Sequence, residues 1–446
     1  MQDSFGLPQT LPDGLVMRWA TPADADELSL FNVAMHSDDP QSPEEHLGYW
    51  TRDLMNGRHP TTQASDFIVV VDPQHNGKIV SSLNLISQTW TYDGIPFGVG
   101  RPELVATDPA YRRRGLVRRQ MEIIHAKSAS RGELVQAITG IPWYYRQFGY
   151  EMAPNLGGGS AFFWHRPGNN KPVASETYQM RPATPADIPV LTDLYAIHCA
   201  NSLLNRPRTE RTWLYEMSEA HRETAGARHL FLIEMADSHE LVAYVEYRHW
   251  GKALVIRELG VRPGHSWRAV SLFLTRELKR LADQIHQSTA GNKTVDYLWF
   301  HVGVGHPVHE ALGRQLERPR LPYAWYIRVP DLPAFLWHIA PALEARLAGS
   351  VMAGHTGTLK FNFYQSQMLM TWERGRLADI GNYTPDRLDE GDARFPDLTF
   401  LQLLFGYRSL EELTFARVDT SVSQEETAIL LNCLFPKRPS YTVFME

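Results

Sequence analysis

At 446 residues and a net charge of −6, the chain is long enough for two or three domains and lacks the basic excess that coats nucleic acid or an anionic membrane. Hydrophobic residues at 43% and charged residues at 21% are those of an ordinary globular protein, and no apolar run reaches membrane-spanning length. Cys199 and Cys433 set neither a disulfide framework nor a zinc spacing, and residues 1–8 do not read as a secretory leader. A cytoplasmic protein is expected, with no metal, no nucleic-acid partner and no membrane partner.

In chain order, Val16-Met17-Arg18-Trp19 reads as a short strand and Thr21-Pro22-Ala23-Asp24 as a helix start, with Thr as N-cap and Pro in the first turn. Leu28, Phe31 and Ala34 continue it at helical spacing. Met35-His36-Ser37-Asp38-Asp39-Pro40, with Glu44 and Glu45, is an acidic stretch: either a solvated loop or the rim of a site for a cationic amine, with Trp50, Trp90 and Phe97 as possible walls. Strands are expected at 67–71 and 79–85.

The run from Leu104 to Arg119 is the most informative. Leu104, Val105 and Ala106 form a strand that stops at Pro109, and a basic loop, Tyr111-Arg112-Arg113-Arg114-Gly115, opens a helix whose apolar residues recur through Ala126. A helix N-terminus offers free N–H groups and partial positive charge, Gly115 lets the backbone approach a bulky ligand, and the arginines add full charges. The expected ligand is a pyrophosphate. A solvated helix start or a nucleic-acid patch would not need the strand, proline turn and helix that frame this cluster. A further strand at 134–138 precedes a short helix opened by Pro142.

Gln179-Met180-Arg181-Pro182-Ala183-Thr184-Pro185-Ala186-Asp187 repeats the start of the chain, and Leu191, Leu194 and Ile197 follow at helical spacing. Two domains of one fold, each of about 160 residues, are expected. The second copy has strands at 230–233, 241–247 and 253–259, a helix at 267–285, a strand at 295–300 and a short helix at 306–312. Its order, like that of the first, fits a mixed sheet flanked by helices. Its Val261-Arg262-Pro263-Gly264-His265-Ser266-Trp267 lacks the arginine-to-glycine spacing of the first copy, so it is expected to be non-catalytic. Beyond Pro330 the pattern changes to a helical stretch at 332–347 that Pro341 can break, strands at 356–363 and 367–372, and late helices near 401–405 and 429–431. The boundaries are 1–165, 175–329 and 330–446.

Arg112 and Gly115 stand at the first and fourth positions of the acyl-CoA signature Gln/Arg-x-x-Gly-x-Gly/Ala, and this run resembles that of the GNAT N-acetyltransferases; Val117 departs from the usual small sixth residue. With the degenerate second copy and the α+β tail, the whole chain resembles the Eis (enhanced intracellular survival) family. The resemblance implies tandem α/β mixed-sheet GNAT domains, a C-terminal α+β domain similar to sterol carrier proteins, and homo-oligomers. It also implies acetyl-CoA as co-substrate and a small-molecule amine, aminoglycoside- or polyamine-like, as acceptor. Val105, Ala106 and Thr107 would then pair with the pantetheine arm. Arg112, Arg113, Arg114, Gly115, Leu116 and Val117 would hold the pyrophosphate. Thr139 would bond the lower arm or face solvent as a turn residue.

In that family a Tyr three residues before Phe-Gly-Tyr is the general acid, and in Trp143-Tyr144-Tyr145-Arg146-Gln147-Phe148-Gly149-Tyr150 this spacing lands on Tyr145. The chemistry asks for such a group, because CoA leaves as a thiolate that needs a proton. Trp143, Tyr144 and Tyr150 compete for the role or pack. The base implied by the resemblance is the C-terminal carboxylate, here on Glu446, although the chain runs two residues past the aromatic Phe444. Glu103, acting through water, is the rival. A protein or peptide N-acetyltransferase, and a non-catalytic acyl-CoA- or lipid-binding protein, are the alternative functions.

Overall fold

The computed structural model describes residues 2–440 except 170, 172, 201, 225, 289–293, 304, 388 and 397. It divides into two units, one built from 2–154, Leu203–Pro207 and Ala324–Ser440, the other from Asn155–Ser202 and Arg208–Tyr323. Each is a mixed α/β body, and among the described residues no helix is long and apolar enough to cross a membrane.

The sheet of the first unit runs Gln9–Thr10, Val16–Trp19, Phe67–Asp72, Lys78–Tyr92, Ile95–Thr107, Val135–Ile138, Tyr323–Arg328 and Glu151–Leu156. That of the second runs Tyr178–Pro182, Leu230–Met235, Leu241–Trp250, Ala253–Val261, Tyr297–Phe300, Gly159–Phe163 and Leu316–Arg320. Counted from Val16–Trp19 and from Tyr178–Pro182, the two sheets have the same order. In each, the sixth place is held by a strand from far along the chain: Tyr323–Arg328 in the first and Gly159–Phe163 in the second. Both are nearly unbroken apolar runs, the pattern of a strand covered on its two faces; Trp325, Tyr326, Ile327 and Phe162 are fully buried.

The repeated start is built identically twice. Arg18 holds Asp24 with Nη2 at 2.7 Å, and Asp24 accepts the N–H of Thr21 at 2.7 Å. Arg181 holds Asp187 at 2.9 Å, and Asp187 accepts the N–H of Thr184 at 2.8 Å. In both copies the proline opens a 3₁₀ turn, Pro22–Asp24 or Pro185–Asp187, that leads into the helices Ala25–His36 and Ile188–Cys199.

The tail forms a five-stranded sheet with helices and belongs to the first unit. The helical stretch breaks at Ile339 into Leu332–His338 and Ala340–Ala348, where Pro341 cannot donate to the preceding turn. The tail packs on the far end of the Lys78–Tyr92 and Ile95–Thr107 hairpin. Phe335 meets Tyr92 and Phe97 edge-on, and Asp93 at the hairpin turn accepts from Arg346 at 3.0 Å and Arg438 at 2.8 Å.

Inside the second unit, Arg208 donates to both oxygens of Glu258 at 2.9 and 2.5 Å and meets Glu216 through Nε at 2.9 Å. Tyr244 donates to Glu258 at 3.1 Å, and the Arg208 guanidinium lies over the rings of both Tyr195 and Trp213, which meet edge-on. Burial alone would raise the Glu258 carboxyl, but the guanidiniums of Arg208 and Arg228 hold it far below its ordinary value. Removing one member of such a buried pair strands its partners' charges. Arg208→Met is therefore expected to destabilise the protein by about 3–5 kcal/mol, read as a lower denaturant midpoint; an unchanged midpoint contradicts the cluster.

Candidate active site

The site begins with a disagreement between two strands. Ile95–Thr107 and Val135–Ile138 run parallel but share only the register pairs Val99↔Val135 and Gly100↔Gln136. Beyond Gly100 they part. On its other side Ile95–Thr107 stays paired to Lys78–Tyr92, with a bulge between Ser82 and Asn84. At that bulge Leu104, buried, takes φ +53°, a conformation that costs an L residue energy and bends the strand. The outer edge of residues 104–107 is thus left without a strand partner among the described residues.

The loop after this edge is a nest. Asp108 caps the turn Pro109–Tyr111 by accepting the Ala110 N–H at 2.9 Å and is itself held by Lys78 at 2.7 Å. Arg113 and Gly115 both have left-handed backbone, φ +65° and +74°, which turns successive N–H groups toward one point. Gly115 is the N-cap of the helix Leu116–Ser130, and a Cβ there would meet nothing within 4 Å. Its missing side chain therefore leaves room for a ligand rather than for protein. Arg112 donates through Nε to the Thr107 carbonyl at 3.3 Å, Arg114 pairs with Asp13 at 3.3 Å, and Arg118 donates to Gln147 at 2.9 Å.

Edge, nest and helix open on one cleft of about 580 Å³. Its lining gathers Val105, Ala106, Thr107, Arg112, Arg113, Arg114, Gly115, Leu116, Val117 and Tyr145, with Met35, His36, Ile141, Tyr144 and Phe148. Thr139, half-buried at the end of its strand, is not part of this lining. Tyr145 comes from the 3₁₀ segment Tyr144–Phe148 and is 5% exposed, its ring among those of Tyr144, Phe148, Tyr150 and Tyr326. Burial, and then the charge of Glu103, push its phenol well above the ordinary tyrosine value. The hydroxyl has no hydrogen-bond partner among the described residues. Gly140, φ +148°, makes space for the ring: a Cβ there would lie 2.9 Å from Tyr145 Cε2.

The carboxylates are placed differently. Glu103 is buried beside Arg101, whose guanidinium pairs with it and stacks on Trp325 at 5.0 Å; neither lines the cleft. Burial raises the Glu103 carboxyl and Arg101 only partly offsets this. Glu446 lies outside the described residues. Of the acidic stretch after the first helix, only Met35 and His36 reach the cleft, while Asp39, Glu44 and Glu45 are exposed. Trp50, Trp90 and Phe97 are interior packing instead of walls: Trp90 meets Trp325 and Phe97 meets Phe335, two partners contributed from beyond residue 320.

Residues 17–153 match the model of an acetyltransferase (GNAT) domain. No curated protein matches the chain. Among solved structures, the chain is similar to a conserved protein of unknown function, a probable N-acyltransferase, from Enterococcus faecalis V583 (15% identity, 96% of this chain and 97% of that one, TM-score 0.65). It is also similar to a GCN5-related N-acetyltransferase from Anabaena variabilis ATCC 29413 (12% identity, 96% and 99%, TM-score 0.63). Eis1 from Mycobacterium abscessus is a third (14% identity, 96% and 100%, TM-score 0.59). At these identities the likeness is one of fold. The first sheet thus carries a GNAT acetyltransferase domain, whose fold implies acyl transfer from an acyl-CoA to an amine, and the chain is an acyltransferase.

Gly115→Asp tests the nest. Aspartate tolerates left-handed backbone and suits a helix N-terminus, so the free protein should keep its thermal midpoint. The same carboxylate would face a pyrophosphate, and acetyl-CoA affinity measured by calorimetry should fall by about 2–3 kcal/mol, roughly 30- to 150-fold. Unchanged affinity would place the cofactor elsewhere.

Proposed function

We propose that this chain transfers the acetyl group of acetyl-CoA to a small-molecule amine, of the aminoglycoside or polyamine class, by direct attack in a ternary complex. The observation that supports it is the convergence in one cleft of an unpaired strand edge, an anion-binding nest and the free hydroxyl of Tyr145.

Each part of acetyl-CoA has a complementary surface. The amides of the pantetheine arm resemble a peptide and suit the edge at Val105 and Thr107, as a strand added to a sheet. The pyrophosphate suits the N–H groups and guanidiniums from Arg112 to Val117. The thioester then lies at the Tyr145 end. An amine attacks the carbonyl carbon, a C–N bond forms, the C–S bond breaks, the CoA thiolate takes the Tyr145 proton, and the nitrogen gives up a proton to solvent as the amide forms. A phenol raised by burial stays protonated throughout the physiological range, so the acid is always loaded.

The second sheet takes no part in this reading, and one site per chain is proposed. The loop 262–266 lacks the arginine-to-glycine spacing, and Glu258 is consumed by Arg208 and Tyr244. In the first sheet, Glu103 is engaged by Arg101 and off the cleft lining, which favours a part in setting charge near Tyr145 over contact with the amine. The tail is proposed to be sterol-carrier-like in fold. A lipid-binding role gains no support from its interior, where Phe361, Phe395, Phe400 and Phe435 pack on one another.

The deciding experiment is free-thiol release from acetyl-CoA across a panel of aminoglycosides, polyamines and peptides. Turnover with the first two classes and not with peptides is expected; peptide-only turnover selects the protein acetyltransferase, and acetyl-CoA binding without any turnover selects the binding protein. Tyr145→Phe should lower kcat by about 10²–10⁴-fold while acetyl-CoA affinity is kept, and near-normal kcat removes Tyr145 as the acid. Gly140→Ala, which drives a methyl into the Tyr145 ring, should lower kcat in the same sense.

A further inference from the structure

We infer that His36 is the group that takes the proton from the acceptor ammonium, an inference that rests on the acetyl-transfer reading above. An amine is protonated in neutral water and has no nucleophilic lone pair until a base removes that proton. The base must therefore face the same space as the thioester. Among the described side chains that line the cleft there is no aspartate or glutamate, and His36 is the one whose neutral form accepts a proton near pH 7.

The ring is held in the right tautomer. Its Nδ1 lies 2.9 Å from the backbone carbonyl of Asn32. A carbonyl only accepts, so Nδ1 carries the hydrogen and the lone pair of the neutral ring is on Nε2. The anchor is rigid. Asn32 is itself tied by its side-chain N–H to Thr51 Oγ at 3.0 Å on the helix Glu45–Met55, and Gly48 on that helix lets the two helices close to a distance a Cβ would forbid, 2.9 Å from Ser29 Oγ and Val33 Cγ2. Ser37 ends the helix just beyond, donating to the Val33 carbonyl at 2.6 Å and accepting the Glu44 N–H at 2.9 Å. His36 thus sits at a fixed point, the last residue of Ala25–His36, and shares one cleft lining with Tyr145 and the strand edge.

Its charge state follows from its surroundings. Burial lowers the His36 pKa below its ordinary value, and the Asn32 carbonyl offsets this in part. The helix C-terminus also favours the cation, by an amount that falls off within the last turn. The other titratable groups in the cleft are Tyr111, Tyr144, Tyr145 and the arginines 112–114 and 118, none of which stabilises an imidazolium. The free enzyme therefore presents a neutral imidazole. In the reaction Nε2 takes one proton from the ammonium, the freed amine forms the C–N bond, the C–S bond breaks, Tyr145 gives its proton to sulfur, and the nitrogen sheds its second proton to solvent as the amide forms. Return to the start needs only the transfer of the imidazolium proton to solvent and of a solvent proton to the tyrosinate, so each turnover releases one proton and the cycle balances.

The test is the pH dependence of kcat for the full-length chain, with acetyl-CoA and the amine that gives most thiol release in the panel. The base form is the unprotonated one, so wild-type kcat should fall as pH falls through an inflection below 6.5. His36→Asn and His36→Gln should lose about 10²–10⁴-fold in kcat and lose that inflection, with the acetyl-CoA dissociation constant unchanged. In His36→Ala, added imidazole should restore part of the rate, which a merely structural role would not allow. Retention of the inflection in the variants overturns the inference, as does its loss on deleting Met445 and Glu446 with His36 intact. A wild-type chain that releases no thiol with any amine instead overturns the acetyl-transfer reading itself.

Discussion

The parting of two parallel strands after Gly100 is the constraint around which the first unit is arranged. A ladder that continued would satisfy every backbone group of residues 101–107 and leave no cleft. Once the strands separate, one edge of the sheet needs another partner, because unpaired N–H and C=O groups are costly when buried and reactive toward any extended chain when exposed. On the proposed reading, a ligand whose arm carries amides would answer that need. The bulge that opens the edge holds Leu104 at φ +53°, and the buried side chains around it keep a conformation that the strand alone would abandon.

What could be read in the sequence was what is local. The loop 108–115 belongs to a contiguous run whose strand, turn, glycine and helix are each signalled by neighbouring residues. The doubled Thr-Pro-Ala-Asp start announces itself because Arg18 and Arg181 lie six residues from their carboxylates. Tyr145 was reachable through a short spacing motif. The failures share one cause. Tyr323–Arg328 and Gly159–Phe163 are apolar runs that would complete either sheet, and nothing in their composition says which. Trp90 and Phe97 have the look of pocket walls until Trp325 and Phe335, over 200 residues away in the chain, cover them. His36 carries no motif; its meaning comes from a carbonyl four residues back and a cleft formed by elements far along the chain.

The two sheets show what happens to one strand order when the opening is or is not needed. In the second, Ala253–Val261 and Tyr297–Phe300 keep four register pairs, from Ala253↔Tyr297 to Ile256↔Phe300, twice the number in the first. Glu258 stands opposite Glu246 across the bulge as Glu103 stands opposite Asn84, so the two glutamates occupy corresponding points. Their surroundings differ. Glu103 has one guanidinium beside it, and the charge left on it reaches Tyr145. Glu258 has Arg208 bidentate, Arg228 nearby and Tyr244 donating, a cluster closed on itself.

A closed cluster and an open cleft make opposite demands on the same scaffold. Buried ions are stable only when each finds a partner, and a site that must bind, react and release cannot have all its polar groups so satisfied. The first sheet keeps a free tyrosine hydroxyl, an unpaired edge and a nest, and draws rigidity from late in the chain: its own strand Tyr323–Arg328 packs Tyr326 against Tyr145, and the tail helix Leu332–His338 packs Phe335 against the hairpin. On this argument residues beyond 320 are the support that lets the first sheet afford a cleft, so their loss should disorder the Tyr145 side of the site before it touches the nest, which is held by its own loop.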